Sequence, residues 1–195
     1  MLRHPFRPTN LSGTFGIFCL TFLCGLICGS CATADEGISL NEAKSFHTRY
    51  ATYYDGPEVA GLPLENINGD PSHCCSFMYG TCTPPPAEGG CAPPLEIQVF
   101  STCKRWFRGI AGRRHAHIYN FRGAKTIAND PPESYTPEIF TGRTTVVFWG
   151  ESWKIVKAAE RQLREIHQSK PQALPPPVHG SLWGRLPCQR KHRLG

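Results

Sequence analysis

The stretch that decides the fold is CCSFMYGTCTPPPAEGGCAPPLEIQVFSTC, which spans residues 74–103 of a 195-residue chain. It holds two short apolar runs, Ser76 to Tyr79 and Leu95 to Phe100. The connection between them is rich in proline and glycine, which suits neither a helix nor a strand. Apolar runs bounded by Gly and Pro clusters are typical of strands, so the stretch predicts a β-hairpin.

Cysteines surround both predicted strands and indicate that disulfides hold this hairpin. An antiparallel register that pairs Gly80 with Leu95 brings Cys82 and Cys91 together at the loop end. The same register brings Cys103 close to the opposite end. The predicted disulfides therefore join Cys82 to Cys91, and Cys103 to Cys74 or Cys75.

The first 34 residues have the three parts of a secretory signal peptide. These parts are a basic start with Arg3 and Arg7, an apolar centre from Phe15 to Ile27, and the small-residue site Ala32-Thr33-Ala34. Cleavage after Ala34 is the preferred interpretation, and it would make Asp35 the new N-terminus.

Two other interpretations of this segment stay open. The uncharged run over residues 11–31 is long enough to remain as a signal anchor in contact with the membrane. Cys31 follows Gly29-Ser30 as in a bacterial lipoprotein site, although Cys28 stands where leucine is usual. All three interpretations place the body of the chain on the non-cytoplasmic side, either secreted or anchored.

The charge distribution argues against a polyanion as the general partner. The net charge is +6, but seven of the 21 Lys and Arg residues lie in residues 1–34 and 170–195, which contain no acid. The body between them has 14 basic and 15 acidic residues and is close to neutral. Because it lacks an overall basic field, nucleic acid is not expected as a partner.

Six cysteines follow residue 34, namely Cys74, Cys75, Cys82, Cys91, Cys103 and Cys188. An even number in an exported chain favours disulfides over a zinc site. No metal or cofactor is therefore expected.

The second half of the chain predicts more strands and one helix. Ile118 to Phe121, Glu138 to Thr141 and Thr144 to Trp149 are rich in β-branched and aromatic residues. Trp153 to His167 has apolar residues at helical spacing, preceded by Ser152 as a cap, and predicts an amphipathic helix that packs on the sheet.

These elements predict an α+β fold. Its parts are a mostly antiparallel sheet, a disulfide-stapled hairpin and one C-terminal amphipathic helix. We expect residues 35–169 to form a single domain. Residues 170–195 are rich in proline and basic residues and predict a flexible tail.

Several of these motifs resemble an uncharacterised family of secreted or surface-anchored bacterial proteins, mainly from actinobacteria. The similar segments are Gly61-Leu62-Pro63-Leu64, Phe77 to Cys82, Gly89 to Gln98, Cys103, Arg122-Gly123-Ala124, and Thr141 to Val147 with the predicted helix that follows. The resemblance covers roughly residues 55–167. It implies export and this architecture, and it implies no particular activity.

The leading functional expectation is an exported, non-catalytic binding or structural module of the cell envelope. The chain contains no phosphate-binding loop, nucleophile elbow, two-histidine zinc helix or calcium loop. The sequence does not identify the partner, for which an envelope component or another protein are the candidates.

Two alternatives belong to other classes. An exported thiol-redox or metal-dependent enzyme would use the adjacent Cys74 and Cys75, with His73 or the pair His115 and His117. Adjacent cysteines more often bond to different partners than to each other. The basic, aromatic stretch Lys104 to His117 could instead bind a polyanion, although a solvated loop is the simpler interpretation.

Overall fold

The computed structural model describes residues 37–72, 74–82, 92–102, 104–105, 116–129 and 136–178. Within these ranges the chain forms two helices, α1 (Leu40–Ser45) and α2 (Trp153–Gln162). The strands are β1 (Tyr53–Tyr54), β2 (Glu58–Val59), β3 (Leu62–Asn68), β4 (Ser76–Tyr79), β5 (Leu95–Ser101), β6 (Ala116–Phe121), β7 (Ala124–Asn129), β8 (Glu138–Thr141), β9 (Thr144–Gly150) and β10 (Arg164–Glu165).

Eight of the strands form one sheet in the order β2-β3-β4-β5-β9-β8-β7-β6, with every neighbouring pair antiparallel. β1 and β10 form a separate antiparallel pair. The predicted class, a mostly antiparallel sheet with one C-terminal helix, is therefore confirmed. β3 and β7 were not predicted as strands.

The sheet has one face in the main hydrophobic core, which we call the inner face. On the opposite, outer face, Val147 of β9 and Phe140 of β8 are fully buried as well, outside that core. Along β5, Leu95, Ile97 and Val99 are buried, while Glu96 and Gln98 are partly exposed. Side chains alternate between the two faces of a strand, so this pattern sends the polar residues to the outer face. Buried residues of β4 and β9 join the same core on the inner face.

α2 contributes Val156 and Ala159 to the core beside the sheet. Ser152 caps the helix as predicted, because its hydroxyl accepts a hydrogen bond from the backbone N–H of Ile155 at 3.4 Å. The predicted helix extended to His167, but the helix ends at Gln162. After Gln162 the backbone becomes extended, because Arg164 and Glu165 pair with β1.

The predicted register of the β4–β5 hairpin is wrong by one residue. Tyr79, and not Gly80, pairs with Leu95. Gly80 has a φ of +77°, so the chain has already left the strand geometry there. The observed register places Phe77 opposite Ile97, and both side chains are fully buried.

Residues 172–178, which we call the strap, lie across two hairpin turns. The backbone N–H of Leu174 donates to the carbonyl of Arg122 at 2.7 Å, and the hydroxyl of Thr141 donates to the carbonyl of Pro175 at 2.7 Å. Leu174 is only 4% exposed. This part of the predicted flexible tail is therefore anchored to the sheet. Residues 179–195 and the predicted signal peptide, residues 1–34, lie outside the described residues.

Candidate functional site

Four polar and aromatic side chains form a connected row on the outer face of β4, β5 and β9. We call Ser76, Glu96, Gln98 and Trp149 the outer row. Trp149 lies opposite Glu96 in the register, and Ser76 lies opposite Gln98. Trp149 is 43% exposed, so a large aromatic surface faces solvent at one end of the row.

Hydrogen bonds give the outer row a fixed direction. The indole N–H of Trp149 donates to Oε1 of Gln98 at 3.1 Å. Because an indole can only donate, Gln98 must present its oxygen to Trp149 and its amide nitrogen to Glu96. Nε2 of Gln98 donates to Oε1 of Glu96 at 2.9 Å, and the hydroxyl of Ser76 donates to the same oxygen.

The outer row keeps hydrogen-bonding capacity for a ligand. Each amide nitrogen carries two hydrogens and each carboxylate has two oxygens. Within the described part of the chain, Oε2 of Glu96 makes no hydrogen bond, and Gln98 uses a single amide donor contact. One acceptor and one donor therefore remain beside the exposed indole ring.

Arg105 holds the segment after β5 against the outer face. Its guanidinium donates two hydrogen bonds of 2.6 Å to Glu138, which is 1% exposed. It also lies over the ring of Phe100, 5.7 Å from the ring centre. The hydrogen bonds to Glu138 raise the pKa of Arg105. Arg105 was a candidate for polyanion binding, but its charge is used within the fold.

Asp55 is fully buried at the end of β1, with an exposure of 0%. Among the described residues, neither of its carboxyl oxygens has a hydrogen-bond partner, and the buried Nε of Arg164 has none either. Burial raises the pKa of Asp55 well above its ordinary value, and Glu160 adds to the rise, while Arg164 and Arg122 oppose it. Desolvation is the largest cause because it penalises the charged form.

The groups around Asp55 are themselves ordered by hydrogen bonds. The hydroxyl of Tyr79 accepts from the N–H of Asp55 at 3.1 Å and donates to the carbonyl of Gly56 at 3.0 Å. Glu160 is 1% exposed and receives hydrogen bonds from Tyr119 at 2.9 Å and from Lys157 at 2.8 Å. Burial raises the pKa of Tyr79. Asp55, Tyr79 and Glu160 are buried away from solvent, so a structural role fits them best.

The sequence predicted different contacts for two of these residues. In a helix that continued to His167, the spacing of four residues would pair Glu160 with Arg164 on the exposed face. In the structure Glu160 is buried and forms an ion pair with the partly exposed Lys157. The guanidinium of Arg164 lies instead 5.2 Å from the ring centre of Tyr54. The prediction is wrong because Arg164 belongs to β10 and not to the helix.

Two clefts lie elsewhere on the surface. One of about 410 Å³ is lined by residues 46–52 and 165–167, and its ionisable lining residues are His47, Arg49, Glu165 and His167. The other, of about 640 Å³, has Glu65 as its single charged lining residue. The first cleft mixes both signs of charge and the second is nearly uncharged. Neither therefore favours one class of ligand.

The described cysteines depart from the predicted pairing. Cys74 and Cys75 are bonded to each other, and both are buried. This bond replaces the predicted pairing of either residue with Cys103, which lies outside the described residues. Because the two cysteines are neighbours in the chain, their sulfur atoms can bond without bringing distant segments together. Cys82 is disulfide-bonded to a residue outside the described ranges, and its pairing with Cys91 stays a prediction.

The predicted metal and redox residues are only partly described. His117 lies exposed on β6, whereas His73, His115 and most of the basic stretch after Arg105 lie outside the described residues. Among the residues that the structure covers, no three His, Cys, Asp or Glu side chains come together to hold a metal. In the same residues, no helix combines the length and apolar character needed to cross a membrane.

Sequence reasoning missed the outer row and the Asp55 cluster for different reasons. A signal for the outer row was present, because the alternation from Leu95 to Val99 already separates Glu96 and Gln98 from the apolar face. No local pattern marks Asp55, whose burial depends on β10 and α2. The comparisons with known proteins add no function, since no family model, curated protein or solved structure matches the chain.

Proposed function

We propose that the protein is an exported, non-catalytic binding module of the cell envelope, and that the outer row is its binding surface. The observation that carries this proposal is the exposed indole of Trp149, held in one orientation by Gln98. Rigid aromatic side chains bury a large area on binding at a low cost in side-chain entropy. The exported location rests on the signal-peptide pattern of residues 1–34.

The architecture supports a role in which the fold presents a surface. The outer row lies on central strands of an eight-stranded sheet, so the backbone beneath it is rigid. Sites built on strands keep their side chains in more precise positions than sites on loops. The resemblance to surface-anchored bacterial proteins belongs to the same proposal, together with a disulfide-stapled hairpin and an amphipathic character for α2.

The proposal is tested by binding to the envelope fraction of the producing organism. Protein recovered from its export pathway is mixed with the washed envelope and sedimented. We expect the parent protein to sediment and Trp149→Ala to lose at least about tenfold in apparent affinity, the scale of a hot-spot residue.

The matched control is Trp153→Ala, because Trp153 is 51% exposed and lies outside the outer row. This variant should bind as the parent protein does. Binding that is absent in the parent, or is equally weakened by both substitutions, would show that the outer row is not the binding surface.

The alternative function is an exported thiol-redox enzyme that uses Cys74 and Cys75. One observation favours it, which is the bond between these two adjacent residues. Their exposures of 0% and 4% count against it, because thiol exchange requires access to a sulfur atom. Oxidation of a dithiol substrate by the Cys74–Cys75 disulfide, with oxidised glutathione added to re-form the bond after each cycle, would support the enzyme and displace the binding module if it is lost in Cys74→Ser.

A further inference from the structure

The hydrogen-bonding groups of the outer row are matched to hydroxyl groups rather than to charges. Within the residues that the structure describes, Oε2 of Glu96 is open to accept a hydrogen bond, and one amide hydrogen of Gln98 is open to donate one. A hydroxyl group does both, so neighbouring hydroxyls on one ring can satisfy the two residues together. Trp149 supplies an exposed apolar surface beside them.

The charge of the outer row excludes other ligand classes. It carries one carboxylate and no cation, so it repels phosphate groups and other anions. The first described basic residue after β5, Lys104, is exposed and lies outside the outer row, and the next, Arg105, is bonded to the buried Glu138. A cationic ligand would find a single carboxylate in the outer row, and Oε1 of that carboxylate already receives two hydrogen bonds, so only Oε2 of Glu96 is open to it.

The dimensions of the outer row fit one or two sugar rings. It crosses three adjacent strands, β4, β5 and β9, which lie roughly 4.8 Å apart in an antiparallel sheet. The platform is therefore about 10 Å wide, and the sheet beneath it is continuous. Such a surface suits a chain of flat rings whose apolar faces lie on an indole and whose edges carry hydroxyl groups.

We propose that the outer row binds a neutral saccharide chain, with one ring on the indole of Trp149 and its hydroxyl groups on Glu96 and Gln98. This inference rests on the proposed function, because it names the ligand of the same surface. It commits to a saccharide and not to a protein partner, because Trp149 is the single aromatic anchor of the outer row, and the apolar residues beside the row in the register, Met78 and Val147, are partly and fully buried.

The experiment is affinity electrophoresis of the exported protein in native gels that contain hydroxyethylcellulose, glycol chitin or soluble amylopectin. We expect at least one neutral polymer to retard the parent protein. Trp149→Ala should abolish the retardation, and Gln98→Ala should weaken binding of the matching hexasaccharide several-fold in calorimetry. Trp153→Ala should migrate as the parent does.

A second variant at the same position tests the proposal even if Trp149→Ala fails to fold. Trp149→Phe keeps an aromatic ring but loses the indole N–H that orients Gln98, so it should bind the saccharide more weakly than the parent protein does. The double variant Trp149→Phe with Gln98→Ala should bind more weakly still, because it also loses the amide group. Thermal midpoints within a few degrees of the parent would show that these variants are folded.

Failure of this inference can be told apart from failure of the binding function. If no polymer retards the parent protein, or if Trp149→Ala is retarded equally, the saccharide is wrong. If the envelope then still binds in a Trp149-dependent way, and protease treatment of the envelope removes that binding, the partner is a protein and the binding function stands. Absence of both kinds of binding overturns both proposals.

Discussion

Because its carboxyl group is fully buried, we expect Asp55 to make the stability of the protein depend on pH. Its raised pKa means that the folded protein holds the proton of this carboxyl group more tightly than the unfolded chain does. The stabilising contribution of protonated Asp55 is fully present below its ordinary pKa of 3.8 and is lost as the pH rises through the raised pKa. An amide has no such proton to lose.

Asp55→Asn should therefore gain stability relative to the parent as the pH rises from about 4 toward neutral, because only the parent must bury a charge. The measurement is the free energy of unfolding in urea between pH 3 and pH 8.

Glu65→Gln is the control for this comparison, since Glu65 is exposed and the change should stay within about 0.5 kcal/mol at every pH. A loss of stability in Asp55→Asn at neutral pH would mean that ionised Asp55 is paired with Arg164.

Gly123 is required by both its backbone and its surroundings. Its φ is +104°, and a Cβ atom there would lie 2.5 Å from the carbonyl oxygen of Leu174 in the strap. Gly61 has a φ of +79°, and a Cβ atom added to it would meet nothing within 4 Å. The two glycines therefore share the left-handed backbone, and they differ in the contact.

We expect Gly61→Ala to cost about 1–2 kcal/mol, the cost of the left-handed backbone. Gly123→Ala should cost at least about 1 kcal/mol more, because the strap must shift to accommodate the methyl group. Urea unfolding of both variants measures the difference. Equal losses would show that the strap does not contact this turn in solution.

At the scale of the elements, the ion pair between Arg105 and Glu138 joins the segment after β5 to β8. Arg105→Ala should cost about 3 kcal/mol, because it removes two charge-assisted hydrogen bonds from a buried carboxylate. The double variant Arg105→Met with Glu138→Leu should recover most of this loss, since it removes both charges. Equilibrium unfolding of the two variants provides the measurement.

Arg143→Ala is the matched control, because Arg143 is exposed in the β8–β9 turn and its loss should change the free energy of unfolding by less than about 0.5 kcal/mol. If Arg105→Ala were equally mild, the ion pair would contribute nothing to the fold. Polyanion binding by Arg105 would then become a candidate again.

The strands that the sequence predicted are those rich in β-branched and aromatic residues, which favour the strand conformation locally. β9 is built from Thr144-Thr145-Val146-Val147-Phe148, and all five residues are buried. β3 escaped prediction because it contains Pro63 and three polar residues, and its pairing with β4 decides its conformation. Tertiary pairing also ends α2 early, where Arg164 pairs with Tyr54.

The candidate site also has one feature that the sequence could predict and one that it could not. The polar side of β5 follows from the alternation that places Glu96 and Gln98 opposite the core, so the face was predictable. The hydrogen bond from Trp149 to Gln98 depends on the β5–β9 register, which joins residues 51 positions apart in the chain. Local sequence patterns do not contain such a distant pairing.

At the scale of the whole molecule, the prediction concerns maturation. The chain recovered from its export pathway should have a mass that begins at Asp35, with at least two disulfides among its six remaining cysteines. Intact mass measured after alkylation of free thiols, before and after reduction, tests both parts. A mass that retains residues 1–34 would indicate a signal anchor, and alkylated Cys74 and Cys75 would contradict their bond.

The strap also sets the order in which the fold can be completed. Both a ribosome and an export channel deliver a chain from its N-terminus, so the β6–β7 and β8–β9 hairpins emerge before residues 172–178. Leu174 and Pro175 must then reach the turns at Arg122 and Thr141, whose hydrogen-bonding groups they satisfy. The two hairpins can therefore form first, and their turns gain these hydrogen-bond partners only after residues 172–178 have emerged.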